Sequence, residues 1–478
     1  MTESIEHSAT PLAARPSRNF RTTALIIAAA LLMEQLDVTV LATALPTMAR
    51  DFGVSPLHMS LALTSYLLSL AIFIPASGKV ADRYGARNVF RAAIVLFTFG
   101  SILCAQSSGL PFLVAARILQ GLGGAMMVPV GRLVLMRSVP KAQLVNAMAW
   151  MLVPALIGPV LGPPLGGFIV TALSWRWIFY INVPIGILGF ALATRFIEDI
   201  REPASSRFDF PGLVLSGTAL SCLIFGCEFA GRGVGALGLT LALFGIGLAT
   251  GTLYIFYARR IPNPILDLGL MRIPTFRLAV IGGSLSRITV GSMPYLLPLM
   301  MQVGFGLSAA QSGAITFMTA AGSLAMKASA APILRRFGFR NTLVWNGVIA
   351  SLAVAVCAAF RPGWPGWAIY AVLLVGGFFQ SLQFTAYNTV AFAEIPSERM
   401  SAATSFFTTF QQLMLSLGIC VAATALETSV GIGGRASVTL WDFSVAFLVV
   451  TSISILASPI CARLDPRAGE EMSGYRGR

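Results

Sequence analysis

Long apolar runs, separated by short polar loops rich in arginine, recur along the whole chain. Fourteen runs are long enough to matter, at roughly 23–45, 58–78, 89–108, 112–135, 145–170, 175–195, 210–229, 236–257, 277–302, 312–334, 341–360, 367–390, 402–427 and 441–462. A helix needs about 20 mostly apolar residues to cross the hydrocarbon core of a bilayer. Backbone groups in lipid must be satisfied internally, which leaves helices or closed barrels. The ten-residue alternation of a barrel strand is absent. The pattern therefore predicts an all-α polytopic membrane protein with fourteen transmembrane helices. The first 21 residues are polar, and the first run continues to Pro46. That is too long for the core of a secretory leader, so the segment is expected to be a retained first span.

Composition sharpens this. Of 478 residues, 56% are hydrophobic and only 11% charged. Soluble domains carry about 25% charged residues, so this chain cannot cover a soluble surface. Low polarity also excludes extended disorder. The six cysteines all fall in predicted helices without a CxxC, and the histidines are His7 and His58 alone. Neither a disulfide scaffold nor a metal centre is expected. No GxxxxGK[ST] phosphate loop occurs, which disfavours transport driven by ATP. No cofactor and no hydrolase elbow is expected, so the chain does not read as an enzyme.

The net charge of +14 comes from 33 Lys+Arg against 19 Asp+Glu. These bases lie between apolar runs, not in a basic domain, so the partner they imply is the bilayer and not nucleic acid. One set of loops holds Arg15, Arg18 and Arg21; Lys79, Arg83, Arg87 and Arg91; Arg137 and Lys141; Arg195, Arg201 and Arg207; Arg259, Arg260, Arg272 and Arg277; and Arg335, Arg336 and Arg340. The alternate loops show single arginines, Arg50, Arg176, Arg232, Arg361 and Arg435. The positive-inside rule then predicts both termini in the cytoplasm.

Asp82-Arg83-Tyr84-Gly85-Ala86-Arg87 and Arg335-Arg336-Phe337-Gly338-Phe339-Arg340 share Arg, an aromatic, Gly and Arg at a constant offset of 253 residues. Each leaves an even-numbered helix on the same side, as two parallel repeats require. The predicted layout is a tail 1–22, a six-helix bundle 23–195, a linking segment 196–276 with two extra spans, a second six-helix bundle 277–462 and a tail 463–478.

At this point the motifs resemble a known family. Gly78 to Arg87 looks like the loop signature of the major facilitator superfamily, Arg117 to Ala125 its helix 4 signature, and Gly158 to Gly167 the helix 5 signature of its antiporters. Leu36-Asp37-Val38-Thr39 through Ala44-Leu45-Pro46 resembles helix 1 of the fourteen-helix drug:proton antiporters, the EmrB/QacA group. Arg207 to Gly212 looks like that group's lead-in to its extra helix pair. The matches run in family order over nearly the whole chain. They imply a secondary efflux transporter in the bacterial cytoplasmic membrane, working by alternating access between two bundles. Some relatives in the group use an adaptor protein, but no residue here demonstrates one.

The resemblance implies roles. Gly78, Asp82, Arg83, Gly85 and Arg87 would form a conformational latch in the outward-facing state, with Gly78 and Gly85 allowing close backbone approach; the plainer reading is a topogenic loop. Arg117 would take part in proton coupling, or else snorkel to the surface. A buried arginine costs about 2.5–3.5 kcal/mol near a helix centre on insertion scales, so it needs a carboxylate, a cavity or carbonyls; Gln120 and Gly121 neighbour it. Glu34 and Asp37 are three apart and share one helix face, where one could load and release a proton. Asp37 matches the signature and is the first choice; its plainer reading is a structural salt bridge. Glu34 and Ala42 depart from the signature, Glu34 by adding a carboxyl and Ala42 by lacking a polar group.

Gly158, Gly162, Gly166 and Gly167, with Pro163, suit close helix contact, either as a surface between the two halves or as ordinary packing. Arg287 and Lys327 are cations in apolar runs, and Gln383, Asn388, Gln411 and Gln412 are polar positions on the twelfth and thirteenth predicted helices. They are substrate-cavity candidates or helix glue. The leading expectation is a proton-coupled exporter of amphipathic drugs. Arg287 and Lys327 keep open a second, export of citrate-like anions or iron-citrate. A non-transporting sensor is a third, disfavoured by short tails.

Overall fold

The computed structural model describes residues 20–139, 144–197, 208–231, 236–396, 399–435 and 437–475. Arg15, Arg18, Lys141, Arg201, Arg207 and Arg232 lie outside these residues. In order the helices are α1 (Phe20–Phe52), α2 (Ser60–Tyr84), α3 (Ala86–Ala105), α4 (Leu110–Ser138), α5 (Leu144–Ala172), α6 (Trp177–Tyr180), α7 (Asn182–Phe196), α8 (Phe210–Ala230), α9 (Leu237–Ala258), α10 (Pro274–Leu299), α11 (Ala309–Asn341), α12 (Gly347–Cys357), α13 (Gly366–Val390), α14 (Met400–Ile432), α15 (Leu440–Ile455), α16 (Ala457–Cys461) and α17 (Glu470–Ser473).

Eleven stretches of the described residues are long and apolar enough to cross a membrane. The longest, Ala309–Cys357, is broken at Gly338, whose φ of 70° and ψ of 171° are not helical, so it makes two passes. α5 is a strongly apolar helix of pass length, and α10 has the length of a pass with less apolar sequence because it carries Arg277 and Arg287. With α6–α7 and α15–α16 each forming one broken pass, fourteen helical passes are present among the described residues. The boundaries shift by a few residues from expectation. The sixth pass breaks between Tyr180 and Asn182, and the eleventh opens with a wider π turn, Thr342–Asn346.

α1 through α7 pack together as one bundle and α10 through α16 as another. We call the side on which α1 begins the terminal face and the other the far face. Two seams join the bundles, α5 on α11 and α2 on α14. Under the 253-residue repeat, the second and fifth passes correspond to the tenth and thirteenth, so the two seams are equivalent. Gly85 and Gly338, the repeat-related glycines, both adopt positive φ, 88° and 70°. A residue with a Cβ resists that conformation.

The extra pair packs through α8 against α2 and α14, with α9 laid on α8. Asp209 ties its ends together. Its carboxylate accepts Gly212 N at 2.9 Å at the start of α8, Tyr257 OH at 2.7 Å near the end of α9, and Ile265 N at 3.0 Å in the following loop.

The interbundle hydrogen bonds among the described residues join the far-face halves. Tyr295 OH donates to Leu57 O (3.0 Å), Gln302 Nε2 to Thr43 O (2.9 Å), Ala310 N to Thr171 Oγ1 (3.2 Å) and Ser416 Oγ to Thr64 O (3.3 Å). His58 and Glu427 meet at 3.8 Å on the same side. The far face is shut.

Candidate functional site

α1 carries Asp37 about midway along its length, 3% exposed. α4 brings Arg117, fully buried, so its side chain does not reach the surface. Arg117 Nη1 donates to Asp37 Oδ2, and its Nε to Ala62 O at 3.0 Å. The guanidinium lies over the Tyr66 ring, 4.2 Å from the centroid, a cation–π contact that strengthens where water is absent. Gln120, one turn along α4, donates Nε2 to Asp37 Oδ1 at 2.7 Å and accepts Arg117 Nη1 on Oε1 at 2.6 Å.

Two further residues, which the sequence reading missed, complete the network. Asn182 at the start of α7 donates Nδ2 to Asp37 Oδ1 (3.2 Å) and to Ser101 Oγ (3.1 Å); Ser101 on α3 also receives Gln120 Nε2 at 2.7 Å. The only signal was a lone Asn in an apolar stretch. Every protein group bonded to Asp37 is a donor, the arrangement an acceptor-only carboxylate takes. A buried ion pair is costly to break, because either partner left alone keeps its desolvation cost.

Glu34 is one turn from Asp37 and 5% exposed. Its Oε2 has no hydrogen-bond partner among the described residues, and the charges of Asp37 and Arg132 act on it. A buried carboxyl oxygen without a partner is rare in a settled structure.

The helix 5 glycines divide by target. Gly158, Gly162 and Gly166 face Gln35, Thr39 and Thr43 of α1, within the same bundle. Only Gly167 and Pro163 face the other half: a Cβ on Gly167 would strike Ala309 O, and one on Gly313 of α11 would strike Pro163 O. Of the two readings of the stripe, Gly158, Gly162 and Gly166 fit ordinary packing, because residues four apart share a face and that face looks at α1, while Gly167 and Pro163 lie at the seam between the halves.

Around the Gly85 turn between α2 and α3, Arg87 Nη2 donates to Thr194 O at 2.6 Å, Lys79 Nζ reaches Asn263 O at 3.3 Å, and Arg83 lies over its neighbour Tyr84 at 5.5 Å. Asp82 occupies the last turn of α2. Gly78 meets open space, with nothing within 4 Å of a Cβ placed there. Close approach at Gly78 is therefore not a property of this conformation, whose terminal-face halves lack the interbundle hydrogen bonds of the far face among the described residues.

In the second bundle, Arg287 is 4% exposed and donates Nη2 to Gln411 Oε1 at 3.4 Å. It lies over Phe407 at 4.7 Å and Phe384 at 5.6 Å. Lys327 is exposed on α11 and reaches Thr385 Oγ1 at 3.3 Å. Gln383 is spent between helices: it accepts Asn346 Nδ2 at 2.7 Å and donates to Leu343 O at 3.0 Å. Asn388 donates back to Phe384 O at 2.7 Å, and Gln412 is half-buried. Of the second-half candidates, the structure brings Arg287 and Gln411 together and turns Gln383 into helix glue. No group of three or more His, Cys, Asp or Glu suited to a metal is present among the described residues.

Two helical bundles around buried charge, with one face shut, define a membrane transporter of the secondary type and not an enzyme. The chain belongs to the Major Facilitator Superfamily, which it matches over residues 27–419. It is 39% identical over 451 residues to a protein of Salmonella paratyphi A that carries the provisional name multidrug resistance protein MdtD, covering 94% of this chain and 95% of that one. The same figures hold for the like-named protein of Salmonella typhi. Among solved structures it resembles a D-xylose–proton symporter (TM-score 0.67, 15% identity, 94% of this chain and 98% of that one). It also resembles the human organic anion transporter MFSD10 (TM-score 0.62, 13% identity, 93% and 99%). At such identities these structures speak for the fold alone.

Proposed function

We propose that this chain is a proton-coupled antiporter that exports amphipathic drug-like compounds across the bacterial cytoplasmic membrane. The observation that carries the reading is the Asp37 carboxylate, buried on three donors from two other helices of the first bundle, α4 and α7, and paired with Arg117. The multidrug name of relatives that align over nearly the whole chain supports the substrate class. The excess of arginine in the terminal-face loops supports cytoplasmic termini. A shut far face then makes this the inward-facing state.

The mechanism follows from the charges. In this state Asp37 accepts only donors, as a carboxylate that has released its proton to the cytoplasmic side does. A cationic or polar substrate entering between the bundles competes with Arg117 for that charge. After the bundles rock, a proton from outside takes the place of the substrate. Glu34 supplies a second acidic group beside it. Moving one charge through the membrane potential is worth about 2.3 kcal/mol per 100 mV. At about 1.4 kcal/mol per decade, that sustains roughly a fortyfold gradient of an uncharged substrate exchanged for one proton; a monovalent cation exchanged one for one moves no net charge and draws on the pH gradient alone. Gly78, Asp82, Arg83, Gly85 and Arg87 serve as the cytoplasmic latch of the opposite, outward-facing state. Gly167 and Pro163 seal the far face against α11. Arg287 and Gln411 are the second-half cavity groups we retain.

The test is proton movement in energised inside-out vesicles on addition of an organic cation. A fall in the pH gradient that Asp37→Asn abolishes is expected. An Asp37→Asn variant that still exports against a gradient would defeat the coupling role. Citrate and iron-citrate form the comparison arm. That alternative is not favoured by the relatives, and a response to these anions alone would reverse the substrate assignment.

A further inference from the structure

α8 and α9 stand outside the twelve passes of the two bundles, yet α8 touches both. Near its far-face end it carries Glu228, 3% exposed on an otherwise apolar helix. One carboxyl oxygen, Oε1, is hydrogen-bonded to Ser60 Oγ in the first turn of α2. The other, Oε2, accepts Cys420 Sγ of α14 at 3.3 Å. Ser60 and Cys420 are both fully buried. A single side chain thus holds a helix of each bundle, beside the seam that Ser416 Oγ and Thr64 O close. Two further contacts fix α8 to α14: Thr424 Oγ1 donates to Cys227 O at 2.9 Å, and Cys420 Sγ lies 3.8 Å from Ile224 O. His58 and Glu427 cross the same seam next to it.

The geometry has a mechanical consequence. A hydrogen bond is lost beyond about 3.5 Å. If α2 and α14 belong to bodies that separate when the far face opens, Glu228 cannot keep both partners. Because α8 is anchored to α14 by its own bonds, the arm to Ser60 is the one that parts. A carboxyl suits this place because its two oxygens accept from two separate donors. A methionine of similar length would fill the space and hold neither.

We propose that Glu228 is a positioning residue of the transport cycle, clasping α2 to α14 through the extra helix while the far face is shut. The proposal rests on the alternating-access reading above, but its test needs no substrate. Thr171 and Ala310 sit side by side across the other far-face seam. A Thr171→Cys/Ala310→Cys pair in full-length protein, reconstituted and mildly oxidised, reports closure by its rate of disulfide formation; the parent chain gives the background.

Glu228→Ala is expected to slow cross-linking about fivefold, the change one lost hydrogen bond of ordinary strength produces. Glu228→Gln, which can still bond both partners, is expected to restore it. Folded Glu228→Ala protein that cross-links at the parental rate overturns the proposal. If Glu228→Ala does not fold, Ser60→Ala decides. Slower cross-linking in Ser60→Ala supports the clasp, and an unchanged rate overturns it. A failure of Asp37→Asn to abolish coupling would strike the function proposed above and leave this measurement unaffected.

Discussion

Arg87 and Arg340 make the same bond in the two halves of the protein. Arg87 Nη2 donates to Thr194 O at 2.6 Å, and Arg340 Nε donates to Ala462 O at 3.0 Å. Each guanidinium thereby ties the loop after the second pass of its bundle to the end of that bundle's sixth pass. Backbone carbonyls at a helix end lack intrahelical donors, and an arginine beside them satisfies that need while sitting at the negative end of the dipole.

The equivalence predicts matched costs. Arg87→Ala and Arg340→Ala should each lower stability by about 1 kcal/mol, and the double variant by about the sum, since the sites lie in different bundles. Thermal unfolding of the three variants in one detergent checks this. Loss in only one of the two would show that the halves use this bond differently.

Asp37 and Arg117 should behave as a unit. Arg117→Met alone leaves the Asp37 carboxylate buried beside amide donors only, and Asp37→Asn alone leaves a buried guanidinium. Breaking such a pair from one side costs about 3–5 kcal/mol. The double variant Asp37→Asn/Arg117→Met should recover most of that stability while remaining unable to couple. Melting temperatures rank the four proteins, and a double variant less stable than both singles would refute the pairing.

Glu34 offers a separation of folding from coupling. Its Oε2 has no hydrogen-bond partner among the described residues, so Glu34→Gln should express and melt like the parent. Its proton-to-substrate ratio with a monovalent cation should fall, and with it the response of export to a pH gradient. Parallel flux measurements under a pure pH gradient and a pure voltage decide the matter; an unchanged ratio would confine Glu34 to shaping the cavity.

Two glycines should fail in different ways. A Cβ at Gly162 strikes Thr39 within one bundle, whereas at Gly313 it strikes Pro163 O across the seam. Gly162→Val should therefore lose about 1–3 kcal/mol of stability by overpacking. Gly313→Val should stay folded but fail to shut the far face, seen as faster maleimide labelling of Gln302→Cys from outside. Similar labelling in both would remove the distinction.

Much of this was readable in the chain because lipid imposes strict terms. Run length predicts the passes, and the Arg-aromatic-Gly-Arg echo at Gly85 and Gly338 exposes the repeat, since both positions need positive φ. Asp37 and Arg117 stand out because charge in an apolar run demands a partner. What was hidden depends on which way a side chain points. Asn182 and Ser101 look like any small polar residue in a helix, and nothing local says they converge on Asp37. Gln383 looks equally suited to a cavity until Asn346 is seen to occupy it. Gly158, Gly162 and Gly166 declare close packing without naming the partner. Gly78 does not use its small size in this conformation.

The Asp209 knot has a further implication for how the chain is built. Its carboxylate holds the lead-in to α8 and Ile265 N within one hydrogen bond of each other, so the polypeptide enters and leaves the extra helix pair at a single point. The extra helices thus behave as a cassette, whose removal would leave chain ends already adjacent. A twelve-pass and a fourteen-pass transporter can then share one core without any change in the distance the linker must span.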